Sequence, residues 1–395
     1  MASAEPSSRP LSPTGCLQPV WERLAPLPHP VYFVTKDPKW QDIVDNPNFL
    51  DYPNQFPLES LYERGVNTSD IWTAQAYIDL KQCGLDVHLV PEIIPGQICF
   101  IPYYYLKARD WLHKSFVVAL YHDCPRPMMC NQRFVINHSQ IQSQRLDHFI
   151  SHRPQPNMKP RNPSRGATIE NLVFKGEAYN LFPPFRTPEF LAQLDAMDIR
   201  LVMNTEFTGN VFEGWANYRD ADVVMAIRNT THFDTSLKPA LKLINAWTAG
   251  VPALLSPEPS YQRLRQSSLD YIEVCTPEDA IAALHHLKQN PDLYLAMIEN
   301  GLRRSQEFTP AQTAMQWHQL LSGPIAAGYA QWLRQSPLQK KLVRPMQYFG
   351  QFLLQKREIK RYLHGINHGP RILTERSPSY QLQLPTLEDA KQLWG

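Results

Sequence analysis

Short, unbroken apolar runs rich in β-branched and aromatic residues recur along the chain, separated by stretches with helical spacing. In the first part they are VYFVTKD from Val31, LDVHLV, QICFIPYYY, SFVVALYHD, RFVINHSQ and RLDHFISH; in the second, NLVFKGE, IRLVMN, DVVMAIR, VPALLS and YIEV. Runs that do not alternate with polar residues are buried on both faces, so the pattern predicts a βα series with mostly parallel sheets. Predicted helices lie between these strands. Thr68, Ser69 and Asp70 cap IWTAQAYIDLKQCG, which Gly84 stops. LKARDWLHK and PEFLAQLDAMD also have helical spacing, and after Thr276 three amphipathic helices follow in succession: PEDAIAALHHLKQ, PDLYLAMIENGLRRSQEF and TPAQTAMQWHQLL.

The punctuation divides the chain. Residues 1–29 are proline-rich with little apolar periodicity and are expected to form a mobile tail. The segment from Asp37 to Asp70 is long for a loop and is expected to be a functional flap. PQPNMKPRNPSRG, from Pro154 to Gly166, has the composition of an interdomain linker, and its Lys159, Arg161 and Arg165 either reach a phosphate or stand in solvent. With 395 residues, the chain is long enough for two cores. The expected divisions are the tail, 30–166 as a first α/β domain with the linker, 167–328 as a second, and 329–395 as a helical, basic extension.

Chemistry concentrates between Asp222 and Tyr261. The strand DVVMAIR, the polar loop NTTHFDTS, the helix LKPALKLINAWTAG and the strand VPALLS form a βαβ unit, which places a ligand site at the strand's C-terminal end. Lys238, Lys242, Asn245 and Ala249 fall on one helix face; Thr235 or Ser236 caps the helix, Pro239 sits in its first turn and Gly250 closes it. Free N–H groups, the helix dipole and two ammonium groups favour an anion, and Arg228 at the end of the preceding strand aims at the same place. Simple solvation of these lysines is the alternative. Gly176, just past NLVFK, permits close backbone approach. Asn204 ends the strand IRLVMN. The strand ending at Tyr121 delivers His122 and Asp123 to its C-terminal rim, as a base, as a holder of an acceptor hydroxyl, or as an ordinary loop start.

KPALKLINAWTAGVPALLSPEPSY resembles the donor-binding segment of GT-B glycosyltransferases of the family 4-like, group 1-like kind. HRPQPNMKPRNPSRG followed by IENLVFKGEAYNL resembles the approach to the second Rossmann-like domain in bacterial members. The resemblance implies two Rossmann-like doubly wound domains facing a cleft, with the last helices crossing back to the first domain. It further implies transfer of a sugar from a nucleotide-sugar donor to a saccharide, lipid-linked or other hydroxyl acceptor. Gly176, Asn204, Ser236, Asn245 and Glu258 would bind the donor, Glu258 through a ribose. Arg228, Lys238 and Lys242 would stabilise the departing diphosphate without a metal or cofactor, and His122 and Asp123 would face the acceptor. One departure stands out. Many retaining members carry two glutamates eight positions apart where this chain has Leu237 and Asn245. A non-catalytic binding or scaffold protein and a nucleotide-sugar epimerase are therefore the alternatives.

Bulk properties narrow the field. Lys plus Arg total 39 against 37 Asp plus Glu, which gives no global case for nucleic-acid binding. The six cysteines form no CxxC pair, so reduced thiols in a cytoplasmic protein are expected, without zinc. No membrane span or signal peptide is read. GxGxxG and GxSxG are absent, GNVFEGWA has Trp215 where a phosphate loop needs lysine, and Asp220 and Asp222 open a strand at the wrong end for a metal. From Gln339 to Gly365, lysines and arginines interleave with Leu342, Met346, Phe349, Phe352 and Leu353. Such a helix either lies on an anionic membrane surface or packs on its own protein.

Overall fold

In the computed structural model, which describes residues 21–65, 67–203, 211–228, 230–373 and 380–394, the apolar runs form two separate parallel sheets. The first contains β1 (Val31–Val34), β2 (Val87–Val90), β3 (Ile98–Pro102), β4 (Phe116–Tyr121), β5 (Gln132–Val135) and β6 (Asp147–Phe149) in the order β2-β1-β3-β4-β5-β6. The second contains β7 (Asn171–Phe174), β8 (Arg200–Met203), β9 (Val223–Ala226), β10 (Ala253–Leu255) and β11 (Ile272–Glu273) in the order β11-β10-β9-β7-β8. Every pairing is parallel, as unbroken apolar runs require. β4 and β9 are buried at every residue, whereas β8, at an edge, alternates exposed and half-buried positions. Two Rossmann-like sheets in one chain give the expected GT-B architecture.

Three expectations need correction. The Asp37–Asp70 segment is no flap: Trp40, Ile43, Phe49, Phe56 and Leu61 are buried in the first domain's core. Asp70 ties its two ends together, accepting from Trp40 Nε1 at 2.9 Å and Lys39 Nζ at 2.6 Å. Widely spaced aromatics between prolines and asparagines build short helical turns with one buried side each, a pattern that resembles a loop when scored for long periodicity. LKARDWLHK forms short 3₁₀ turns rather than a helix, broken at Trp111 with φ of 48°. Of the segment expected to be a mobile tail, Trp21, Leu24 and Leu27 pack on the first core. Its first twenty residues lie outside the described ones. The Thr68–Gln82 helical stretch forms as predicted, although its cap is Asn67, one residue earlier than expected.

The helix Pro310–Leu320 and its continuation Ala326–Leu333 return to the first sheet, as the resemblance implied. Trp317 packs against Phe33, Phe100 and Phe134 with ring centroids 5.5, 4.9 and 5.0 Å apart. Trp317 therefore sits in the same core as β1, β3 and β5.

The linker is fastened by charge. Asp222, fully buried, accepts from Arg161 Nη2 at 2.8 Å, from Arg165 Nε and Nη2 at 2.7 Å each, and from the backbone N–H groups of Glu170 and Asn171 at 2.9 and 3.0 Å. Arg161 and Arg165 are thus neither phosphate ligands nor solvated, and Asp222 is committed away from any metal. Burial alone would raise the Asp222 carboxyl, but Arg165, the two N–H groups and Arg161 outweigh it and hold it below the usual carboxylate range.

A carboxyl depressed by folding adds stability above its unfolded pKa of about 4, and that stability drains away as pH falls through the folded value. Asp222→Ala leaves the buried Arg161 without a carboxylate, while Arg165 keeps Glu170 at 3.0 Å, and is expected to cost about 3 kcal/mol in denaturant unfolding. The same variant should lose part of the acid-unfolding limb below about pH 4. A loss under about 1 kcal/mol would show that the linker does not depend on this cluster.

Candidate active site

In each parallel sheet a ligand crevice forms outside the carboxyl ends of neighbouring strands whose connections run in opposite directions. In the second sheet these are β7 and β9. β7 runs into Lys175 and Gly176, and β9 into Ile227 and Arg228. Beside them β10 ends before Ser256 and Glu258, and the helix Leu241–Ala249 starts opposite, presenting Lys242. The three strand ends are level because the register pairs Phe174 with Met225 and Leu255 with Ala226.

The charged groups at this rim are not equivalent. Glu258 is fully buried and holds Arg228 with both carboxylate oxygens, Nε at 2.9 Å and Nη2 closer still. Ser256 Oγ donates to Glu258 at 3.0 Å. Glu258 was expected to bond a ribose; it is consumed in fixing Arg228. Lys242 is half-buried, and its ammonium lies over the Phe174 ring at 4.8 Å with no ion pair to any described residue. Burial first, then the neighbouring Arg228 and Lys238, push its pKa down to about 7 against the opposing pull of Glu258. A Cβ on Gly176 would come 3.2 Å from Lys242 Nζ and 3.1 Å from the Phe174 ring, so a larger residue there makes the ammonium or the ring give way by a few tenths of an ångström.

The helix begins later than predicted. Lys238 and Pro239 precede it, Ala240 holds the cap position without a side-chain bond, and Thr235 closes a separate turn, His232–Thr235, capped by Thr231. Proline disfavours helical backbone in the residue before it, which breaks the single helix foreseen from side-chain spacing. Lys238 is therefore not stacked on Lys242. Its ammonium pairs with Asp123 at 3.2 Å across the domains and with Asp234 at 3.3 Å in its own. Ser236 also serves the domain contact: Gln140 Nε2 donates to its Oγ at 2.8 Å and to its carbonyl at 3.1 Å. Asn137 Nδ2 donates to the Lys238 carbonyl at 2.8 Å. Asn245, expected to bind the donor, accepts from Gln155 N–H at 3.0 Å and donates to its side chain at 3.2 Å, holding the linker. Leu237 is buried against Tyr121 and Val135. Gly250 ends the helix as predicted, with φ of 66°. Asn204 lies outside the described residues.

Across the cleft, His122 and Asp123 follow β4. His122 is 4% exposed, and neither ring nitrogen has a hydrogen-bond partner among the described residues. Burial, opposed by Asp123 and reinforced by Lys238, pushes its pKa down to about 4, so the ring is neutral near pH 7. A neutral imidazole offers one donor and one acceptor, which suits it to hold a hydroxyl better than to remove its proton. Asp123 has φ of 35°, and two tyrosines hold that turn: Tyr104 and Tyr362 donate to its carbonyl at 3.2 and 3.0 Å. The structure thus brings Arg228, Lys242 and Gly176 together on one wall, with His122, Asp123 and Lys238 at the domain contact. Asn137, Gln140, Asp234 and Tyr362 were not foreseen. For Asn137 the signal was present, since it lies two residues past the end of β5, near the rim that His122 reaches one residue past β4.

Residues 186–319 match the family described as "Glycosyl transferase-like". The match begins after β7, takes in β8 to β11 and ends within the helix Pro310–Leu320, and it agrees with the resemblance over that stretch. No curated protein matches the sequence. Among solved structures, the GtfA/B complex is similar at 9% identity and a TM-score of 0.41, covering 59% of this chain and 58% of that one. HepE from Anabaena, in complex with UDP and glucose, is similar at 9% identity and a TM-score of 0.42, covering 74% and 99%. A glycosyltransferase from Rickettsia africae is similar at 9% and 0.43, covering 78% and 99%. At these values the likeness is one of outline only.

If Lys242 carries its charge only below about pH 7, affinity for a simple diphosphate should fall as pH rises from about 6 to 8.5, because the cation is lost over that range. Calorimetric titration at several pH values checks this. The pH dependence should flatten in Lys242→Met, and an equally steep dependence in that variant would place the titrating group elsewhere.

Proposed function

We propose that the chain transfers a sugar from a nucleoside-diphosphate sugar to the hydroxyl of an acceptor, with the diphosphate held at the β7–β9 rim. The observation that carries this reading is the uncompensated cation there. Arg228 has its own carboxylate and Lys238 has two, but Lys242 sits between them with no counter-ion among the described residues. Like charges and burial both work against its ammonium, and a multiply charged anion relieves both. Gly176 leaves that anion's path to the backbone clear.

The reaction would proceed as follows. The bond from the anomeric carbon to the diphosphate oxygen breaks, and its electron pair stays with the diphosphate. Lys242 and Arg228 stabilise the charge that develops there, being already in position and needing no reorganisation. Fixed cations would then take the part that a divalent metal takes in other sites. The acceptor oxygen bonds to the anomeric carbon and releases its proton, for which the Asp123 carboxylate is the available base beside His122. His122 holds a hydroxyl in place. The nucleotide base, the sugar and the acceptor are left open by these contacts.

A second reading has one specific observation in its favour. Leu237 and Asn245, which stand where many retaining relatives have glutamates, are both structural here. A protein that binds the donor without turning it over would keep the cation site and dispense with those carboxylates.

Binding and turnover separate the two. Lys242→Ala should weaken nucleoside-diphosphate-sugar binding about ten- to hundredfold, the equivalent of about 1.5 to 3 kcal/mol for a charge-assisted contact. Gly176→Ala, which crowds the ammonium by only a few tenths of an ångström, should weaken binding less than Lys242→Ala does. His122→Ala should leave donor affinity within about twofold yet lower turnover at least tenfold. Donor binding that is unchanged in folded Lys242→Ala would falsify the diphosphate site. Tight donor binding with no transfer across a broad acceptor panel would favour the binding protein.

A further inference from the structure

The extension contains a single long helix, Arg344–His368, with two unlike faces. The inner face is fastened to the first domain. Tyr348 Oη donates to the Ala108 carbonyl at 2.9 Å, and Gln351 Nε2 to the Cys130 carbonyl at 3.1 Å. Gln355, buried, donates to the Arg126 carbonyl at 3.1 Å and accepts from Met128 N–H at 2.7 Å. At its far end the helix meets the second domain, where Thr231 Oγ1 donates to the Gly365 carbonyl at 2.9 Å and Phe233 packs on Tyr362. The helix is a strap across both domains.

The outer face is the unusual one. Leu342, Met346, Phe349 and Leu353, at helical steps of four, three and four, are 56, 73, 63 and 50% exposed. Leu338, one turn earlier, is 65% exposed. The stripe then turns basic, continuing as exposed Lys356, Arg357 and Lys360, and exposed Lys340 and Lys341 flank its start. From Leu338 to His368 the sequence has seven lysines and arginines and one acid, Glu358. Scattered exposed leucines need no explanation, but an ordered apolar row bordered by cations does.

We propose that this face docks on an anionic lipid bilayer, with Leu342, Met346, Phe349 and Leu353 inserted among the acyl chains and the lysines on the headgroups. Three observations select this occupant. The charge is one-signed and complementary to anionic headgroups. A second copy of the chain would bring the same cations against one another. No described helix is long and apolar enough to cross a membrane, so the contact lies in the plane of the surface. The surface stands independently of the sugar-transfer reading, and its test uses no sugar.

Full-length protein is floated with vesicles of phosphatidylcholine alone and of equal parts phosphatidylcholine and phosphatidylglycerol. Binding is expected only to the anionic vesicles and should weaken as salt rises from about 20 to 500 mM. Met346→Gln with Phe349→Gln, both at exposed positions, should lower partitioning at least tenfold with unchanged circular dichroism. Lys356→Gln with Lys360→Gln should lower it by about fivefold for each lysine removed. A folded full chain that ignores anionic vesicles at low salt overturns the proposal. So does partitioning unaffected in both double variants. A dimer in light scattering that the Met346/Phe349 variant dissociates, in protein that does not bind vesicles, assigns the face to a second copy instead.

Discussion

The geometry of the cleft depends on one fully buried carboxylate, that of Glu258. Glu258 lies wholly inside the second domain, capped by Ser256 and closed on Arg228 by two hydrogen bonds. An arginine bound by one carboxylate at a fixed angle keeps its charge and its position, so it acts as a permanent positive wall. Lys242 is placed against that wall, half-buried and resting on an aromatic ring, and has no carboxylate of its own among the described residues. The contrast between a satisfied cation and an unsatisfied one is the ground on which we propose the rim as an anion site. Buried pairs of this kind add little net stability, but they set geometry that a solvent-exposed pair would not hold.

Much of this frame is legible in the residues. Unbroken apolar runs such as FVVALY and DVVMA declare central parallel strands, and the residues immediately after them must lie on the C-terminal rim. His122, Gly176 and Arg228 follow from that rule alone. Partnership is not legible in the same way. Glu258 is given to a ribose by the resemblance, and its pairing with Arg228 is missed because the sequence does not show that β9 and β10 are neighbours, which is what brings the two together. Lys238 reads as a phosphate ligand because helical spacing was carried through Pro239, whereas the backbone before a proline leaves the helix and turns that side chain toward Asp123. Asn245 has a polar identity on an apparently polar face, yet its partner is Gln155, ninety residues away in sequence.

The same long-range dependence links the two ends of the molecule. Asp123, Lys238 and Asp234 form a chain of charge between the domains, and the Asp123 backbone, held at positive φ, is pinned by tyrosines from two different elements. One of these, Tyr362, comes from the strap helix. Any displacement of that helix against the first domain must be felt at the turn that carries His122 and Asp123. The interdomain contact and the outer surface of the protein are therefore mechanically connected through one hydroxyl and one carbonyl.

The central claim is that Lys242 is a destabilised cation waiting for an anion, and its own titration measures this most directly. With lysine labelled at the ε-carbon, the Lys242 resonance, identified by its loss in Lys242→Met, can be followed with pH in the free protein and with saturating nucleoside diphosphate. The account predicts a value near 7 in the free protein that rises on binding, because a bound polyanion favours the charged form. An ordinary lysine value near 10.4 in both states, indifferent to the diphosphate, would contradict it.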